Sequence, residues 1–400
     1  MRYRRFHLTW YVLLRATGDG IWADRIERAV LNAGLGAVKK DWNGVQYLSG
    51  VNQMIATMAS SHIPNSGPDT MAYQPNPGGL VACCAGNAHR IFPNYAMHHY
   101  MRTGDGIAVV FYGPSETTCS LGNEGRAVTI TQTTDYPFEE SIGLRVSTTE
   151  PVAFPLMLRL PGWCAEPKLR INGEAVQSPK CTNGFITVKR TFRDGDTLTL
   201  ELPMQVRMTR WPNGGVALEH GPLVYALCIE EQWTQHIREN YSTSDFPSWA
   251  ATAATAWNYG LAIDGASEVN LERRPVTTDP WENPPVALRV AARKIGAWKL
   301  AESDTPSSRA IQTQEGQFAA DGGRELFTPP FPVLPSVHDG GVKNVVPERE
   351  FLPKNYEPVA AAPDGDVERI TLVPFGATHL RMTVFPHAYR AAMTSCRSTG

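Results

Sequence analysis

Two adjacent cysteines, Cys83 and Cys84, are the residues in this chain whose type and spacing could do chemistry. A thiol attacks or binds metal as its thiolate, and a free thiol titrates near 8.5, so such a pair needs help from its surroundings to react. Zinc supplies that help by deprotonating its thiol ligands. Vicinal cysteines rarely bridge each other, because the ring that would close is strained. The bland alternative is a pair of small buried hydrophobes. Cys119, Cys164, Cys181, Cys228 and Cys396 show no ligand-like spacing and read as bland thiols. Seven cysteines in 400 residues do not make a disulfide scaffold. No pair of carboxylates can be assigned from the sequence to general acid/base work, because carboxylate separation is a three-dimensional quantity.

The elements that must position the pair change character along the chain. Before it, Ile26, Val30 and Ala33 fall on one face of a helix over 23–35, with Gly18 and Gly20 before it and Gly36 after it. Asp24 and Arg28 are spaced to pair on that helix, and Glu27 could pair with Arg25 or Arg28. Residues 87–100 read as a second helix with Pro93 at a kink or boundary. Beyond Gly104–Gly106 the pattern becomes period two, with strands at 107–112, 127–133, 141–147, 153–160, 168–171 and 197–202. Asn172-Gly173 signals a hairpin turn. Further strands are expected at 221–229, 368–373 and 378–385, with 232–282 irregular and 301–341 loop or linker. This predicts a multidomain α + β chain: helical over 1–104, antiparallel β-sandwich over 105–205, a second β-sandwich with irregular insertions over 206–386, and a disordered tail over 387–400.

Composition narrows the partners. Hydrophobic residues make up 42% of the chain, enough for sizeable cores, and the formal net charge is −2. No basic stripe or polybasic run invites nucleic acid or anionic lipid, so a neutral small molecule or carbohydrate is expected. The basic, apolar start at 2–14 is short and lacks a small-residue cleavage site, so it reads as part of a helix and not as a signal peptide. The compartment is left open, with reduced thiols leaning towards the cytoplasm. His98-His99 lacks metal-ligand spacing and reads as surface.

Taken in order, several segments resemble glycoside hydrolase family 127, the β-L-arabinofuranosidases. They are Ala23-Asp24-Arg25-Ile26-Glu27-Arg28-Ala29, Gln46-Tyr47-Leu48, Tyr73-Gln74-Pro75-Asn76-Pro77-Gly78, and Cys83-Cys84-Ala85-Gly86-Asn87 with Arg90 and Asn94. Later come Tyr112-Gly113-Pro114, Leu160-Pro161-Gly162-Trp163, Leu202-Pro203-Met204, Gly221-Pro222-Leu223-Val224-Tyr225 and Val373-Pro374-Phe375-Gly376-Ala377-Thr378. The resemblance implies an (α/α)6 catalytic barrel followed by β-sandwich domains, the helical part here being its C-terminal remnant. It implies that most of the barrel precedes Met1, with the general acid/base glutamate and the glutamate and cysteine of a zinc-binding Glu-Thr-Cys motif. By position, Cys83 matches the nucleophile and a zinc ligand, and Cys84 the neighbouring zinc ligand. Glu27, Tyr47 and His62 match or neighbour substrate-binding positions. The expected activity is retaining hydrolysis of β-L-arabinofuranosides on an arabinose-containing oligosaccharide or glycan, impaired if the barrel is incomplete. The contrasting expectation is a non-catalytic carbohydrate-binding β-sandwich protein with a vestigial barrel.

Overall fold

The structure is a computed structural model that describes residues 2–58, 60–61, 71–77, 79, 83–211, 215–296, 301–303, 325–327 and 365–386. Helix α1 (Arg2–Thr17) packs against α2 (Ile21–Arg28), and α2 continues directly into a π-helical segment, Ala29–Gly34. The third helix, α3 (Cys83–Met97), starts four residues earlier than the pattern suggests and carries Pro93 inside it. The chain then turns wholly to strands. Among the described residues these three are the α-helices, and they lie as a layer on a β-sheet.

Two sheets follow, enclosing one core. The strands are β1 (Tyr100–Thr103), β2 (Gly106–Val109), β3 (Ser115–Leu121), β4 (Arg126–Thr133), β5 (Ser141–Thr148), β6 (Val152–Arg159), β7 (Lys168–Ile171), β8 (Glu174–Ala175), β9 (Cys181–Thr182), β10 (Phe185–Phe192) and β11 (Thr197–Glu201). One sheet runs β8-β7-β11-β5-β4-β3 and the other β9-β10-β6-β2-β1. All neighbours are antiparallel except β2 and β6, which run parallel. Val128, Ile130, Leu144, Val146, Leu198 and Leu200 of the first sheet meet Ile107, Val109, Leu156, Leu158 and Val188 of the second. At Asn172 and Gly173 φ is 51° and 86°, the left-handed pair that a two-residue hairpin requires, and β7 and β8 pair across it.

Alternation along β2 explains how the helices attach. Ile107 and Val109 point into the inter-sheet core, so Ala108, with Val110 beyond the strand's end, faces the other way. There they pack with Phe111 and Phe185 against Tyr11, Leu14, Ala23, Ile26 and Val30 of the helical layer. The five-stranded sheet is therefore buried on both faces.

A third sheet is built from β12 (Val206–Arg210), β13 (Gly215–His220), β14 (Leu223–Leu227), β20 (Val367–Pro374), β19 (Val286–Lys294) and β17 (Tyr259–Leu261), in that order, with β18 (Asn270–Arg273) also on β19. Its core takes in Leu31, Met54, Ala56 and Tyr73 from the N-terminal part of the chain. Strands β15 (Glu231–His236) and β16 (Ser248–Ala253) pair with each other, and β16 also pairs with Ile55–Ala56. The N-terminal hundred residues are thus woven into both β regions.

Several expectations change in detail. The stretch 232–282 contains β15 to β18, although its aromatic-rich sequence hides the alternation. Residues 378–385 hold only short pairings, Arg381–Met382 with Asn52–Gln53 and Phe385–Pro386 with β13. The β-sandwich expectation holds in its coarser form, mostly antiparallel layered sheets. The expected (α/α)6 barrel remnant is not shown: among the described residues the helical part is three helices on a sheet. The tail 387–400, His62, Cys396 and most of 301–341 lie outside the described residues.

Candidate functional site

Cys83 and Cys84 open the first turn of α3, where the helix dipole favours negative charge. Cys84 is buried at 1% exposure, while Cys83 is partly exposed, so the two differ in access to a reactant. Their sulfurs stand 3.8 Å apart. That is too long for a disulfide, but it matches the edge of a tetrahedron of thiolates held at about 2.3 Å by zinc, which is about 3.8 Å. The donor set thus fits two of four zinc ligands. Among the described residues no group of three or more His, Cys, Asp or Glu completes such a site. One turn on, Asn87 donates from Nδ2 to the Cys83 carbonyl at 2.6 Å, fixing the start of the helix. Arg90 is exposed.

Tyr47 is half-buried in the segment after Val45, whose N–H and C=O exchange hydrogen bonds with Gln74. Glu27 is placed differently. Its side chain is 1% exposed, and its Oε1 accepts from Arg159 Nη2 at 2.5 Å. Arg159, at the end of β6, is itself completely buried. Its Nη1 reaches Asp24 Oδ1 at 2.6 Å and its Nε the Val110 carbonyl at 2.5 Å. The other Asp24 oxygen accepts from the Gly162 N–H at 2.8 Å. Burial pushes the Glu27 carboxyl up, and the Arg159 charge opposes that rise. Tyr95 and Tyr136 face the same carboxylate, and burial together with its negative charge holds both phenols well above their usual range.

Tyr95 belongs to α3, but it lies twelve residues beyond Cys83 (95 − 83), about 18 Å of helix. The structure therefore brings Glu27 to the far end of the helix that begins with the cysteines. It joins Cys83 to Cys84 and Glu27 to Arg159, as two separate constellations.

The pairing expected between Asp24 and Arg28 is replaced by longer-range contacts. Arg28 instead grips Glu219 through two bonds of 2.9 and 2.8 Å, and Glu219 also receives Arg207 at 3.2 Å. His99, expected on the surface, is half-buried: it packs against Tyr95 and Phe111, and burial followed by the Arg159 charge lowers its pKa to about 4. Sequence reading missed Arg159. Its signal was a charged residue at the end of the alternating strand 152–159, next to Leu160-Pro161-Gly162-Trp163.

The "Beta-L-arabinofuranosidase, GH127 middle domain" family matches residues 106–204, the pair of facing sheets. The whole chain is similar in fold to a GH127 β-L-arabinofuranosidase from Geobacillus stearothermophilus, with 20% identity, TM-score 0.58, 96% of this chain covered and 49% of that one. A structure described as a glycoside hydrolase matches with 20% identity and TM-score 0.60, covering 96% and 51%. A GH127 β-arabinofuranosidase matches with 17% identity and TM-score 0.57, covering 96% and 48%. No curated protein sequence matches the chain. Residues 106–204 thus match the middle domain of that family, and the chain shares the fold of the solved structures. It spans about half the length of the solved structures it matches.

Proposed function

We propose that the chain carries the nucleophile-bearing part of a retaining β-L-arabinofuranosidase acting on arabinose-containing glycans. The observation that supports this most is the Cys83–Cys84 pair at a helix start, with Cys83 partly exposed and the sulfurs at a zinc-compatible spacing. The adjoining middle domain of the same family agrees with it. In this reading Cys83 and Cys84 supply two zinc ligands. The metal, when bound, keeps sulfur in its thiolate form at neutral pH.

The chemistry then follows from the sulfur at position 83. Its lone pair attacks the anomeric carbon, an S–C bond forms, and the C–O bond to the aglycone breaks, with the electron pair leaving on oxygen. Water next attacks the same carbon, sulfur departs as thiolate, and the water proton passes to a base. Two inversions give net retention, as in carboxylate enzymes of this kind. Tyr47, half-buried and amphipathic, lines the sugar pocket in this proposal, and His62 is assigned to it as well. Glu27, assigned by resemblance to sugar hydroxyls, has its carboxylate committed to Arg159, so its part is to hold α2 against β6. The division into 1–104 as the C-terminal part of the (α/α)6 barrel, 105–205 and 206–386 belongs to the same proposal. The middle division is supported by the inter-sheet core, whose buried members all fall within 107–204.

The test is release of L-arabinose from a 4-nitrophenyl β-L-arabinofuranoside by the chain and by Cys83→Ser. This aglycone leaves without protonation, so the first displacement needs no general acid. Loss of at least about 100-fold in rate is expected; unchanged release in the variant would remove the thiolate from the mechanism.

A further inference from the structure

A hairpin turn over 39–44 holds a feature unrelated to the cysteines. The Lys39 N–H donates to the Gly44 carbonyl at 2.8 Å, the Trp42 N–H to the Lys39 carbonyl at 2.9 Å, and the Asn43 N–H to Asp41 Oδ1 at 3.0 Å. This closes the turn with Trp42 at φ 64°, in the left-handed region. A bulky residue is seldom found there, and such strain persists where the surroundings hold it and clusters at ligand-binding positions. Trp42 is nevertheless 59% exposed, so core burial does not account for it. Its ring meets Phe92 edge-on at 4.9 Å, which fixes its orientation.

Beside Trp42 lies a cavity of about 220 Å³ that it shares with Trp281, Lys40, Thr278, Asp279 and Glu282. The volume is below the roughly 300–1,000 Å³ of pockets for drug-sized ligands, so it suits one small ring. Two indoles supply apolar faces. Asp279 and Glu282 supply acceptors, and Lys40 lies among them. Lys40 Nζ donates to the Leu35 and Val38 carbonyls at 3.0 and 3.3 Å, which leaves one further tetrahedral position on nitrogen for a ligand. Burial, then the Arg381 charge, lowers the Lys40 pKa to about 7, so near neutral pH the group is partly the neutral amine, whose lone pair can accept from a hydroxyl.

From this arrangement we infer that the cavity between the 39–44 hairpin and the 278–282 turn is a second saccharide-binding site, taking one neutral sugar ring against Trp42. A sugar presents an apolar C–H face for an indole and hydroxyls for carboxylate and amine, and the cavity offers all three. Phe92 lies nine residues past Cys83, roughly 14 Å along α3, so the site is separate from the sulfur pair. The ligand class rests on the glycoside reading above; the location does not.

Titration calorimetry of L-arabinobiose into the full chain carrying Cys83→Ser tests the site without hydrolysis. Binding should persist in that background and weaken about 10-fold or more when Trp42→Ala is added, a loss within the range for removing one stacked aromatic contact. Asp279→Asn, on an exposed turn, should weaken it less and serves as the readout if Trp42→Ala alters the circular dichroism spectrum. No binding in the Cys83→Ser chain, or affinity unchanged by both Trp42→Ala and Asp279→Asn, would overturn the inference. If Cys83→Ser leaves hydrolysis intact while Trp42→Ala weakens binding, the catalytic reading fails and this site stands.

Discussion

Arg159 is the residue whose removal should cost most. It is completely buried and answers two carboxylates, Asp24 and Glu27, from the end of a strand. Removing one member of such a group leaves the others charged and unpaired, which costs about 3–5 kcal/mol. Arg159→Met should therefore lower the urea midpoint sharply, and adding Glu27→Gln should recover part of the loss, since the orphaned charge goes with it. Strictly additive effects in that cycle would show that the two side chains do not interact. His99 and His220 make a second residue-scale prediction. Burial is the first cause of depression for both, and each falls to about 4. The unfolded chain then binds more protons than the folded one between about pH 6.5 and 4, so stability rises with pH through that window and falls on acidification. His99→Phe should flatten the dependence of Tm on pH across it; an unchanged slope would place the proton uptake elsewhere.

At the scale of elements, the join between helices and sheet depends on backbone approaching backbone. The Gly20 N–H donates to the Asn183 carbonyl at 2.8 Å, and a Cβ on Gly20 would stand 3.2 Å from both that oxygen and the Gly184 Cα. The α1–α2 turn thus sits directly on the β9–β10 turn. Gly20→Val should destabilise by about 1–3 kcal/mol, the usual cost of overpacking, in a denaturant titration. A neutral effect would mean that the two turns can separate freely. The elements also show what the sequence made readable. Alternation in 127–133, 141–147 and 197–202 was legible because each strand has one face in the inter-sheet core. In 232–236 and 248–253 it was masked by aromatic and polar residues on the half-buried side. The start of α3 was missed because its glycine- and cysteine-containing first turn reads as loop.

For the whole molecule, the chain divides into a helical layer, a pair of facing sheets and a third sheet, yet long-range contacts tie them. Arg28 reaches Glu219, Asn52 reaches Val384, and Arg381 donates to the Gly36 carbonyl. Such ties could not be read from spacing, since they join residues hundreds of positions apart; the vicinal cysteines could, because both lie in one turn. Zinc binding follows at this scale. The protein prepared with zinc should hold the metal, and Cys84→Ser should lower the bound fraction several-fold by elemental analysis. Equal zinc in both would separate the pair from metal binding.

The central claim is that sulfur at position 83 bonds to the anomeric carbon. Brief exposure to 4-nitrophenyl β-L-arabinofuranoside, acid quench, proteolysis and mass spectrometry measure that bond. The account predicts one pentosyl unit on the peptide containing Cys83, and none after Cys83→Ser. Arabinose release with the sugar attached instead to an aspartate or glutamate would contradict it.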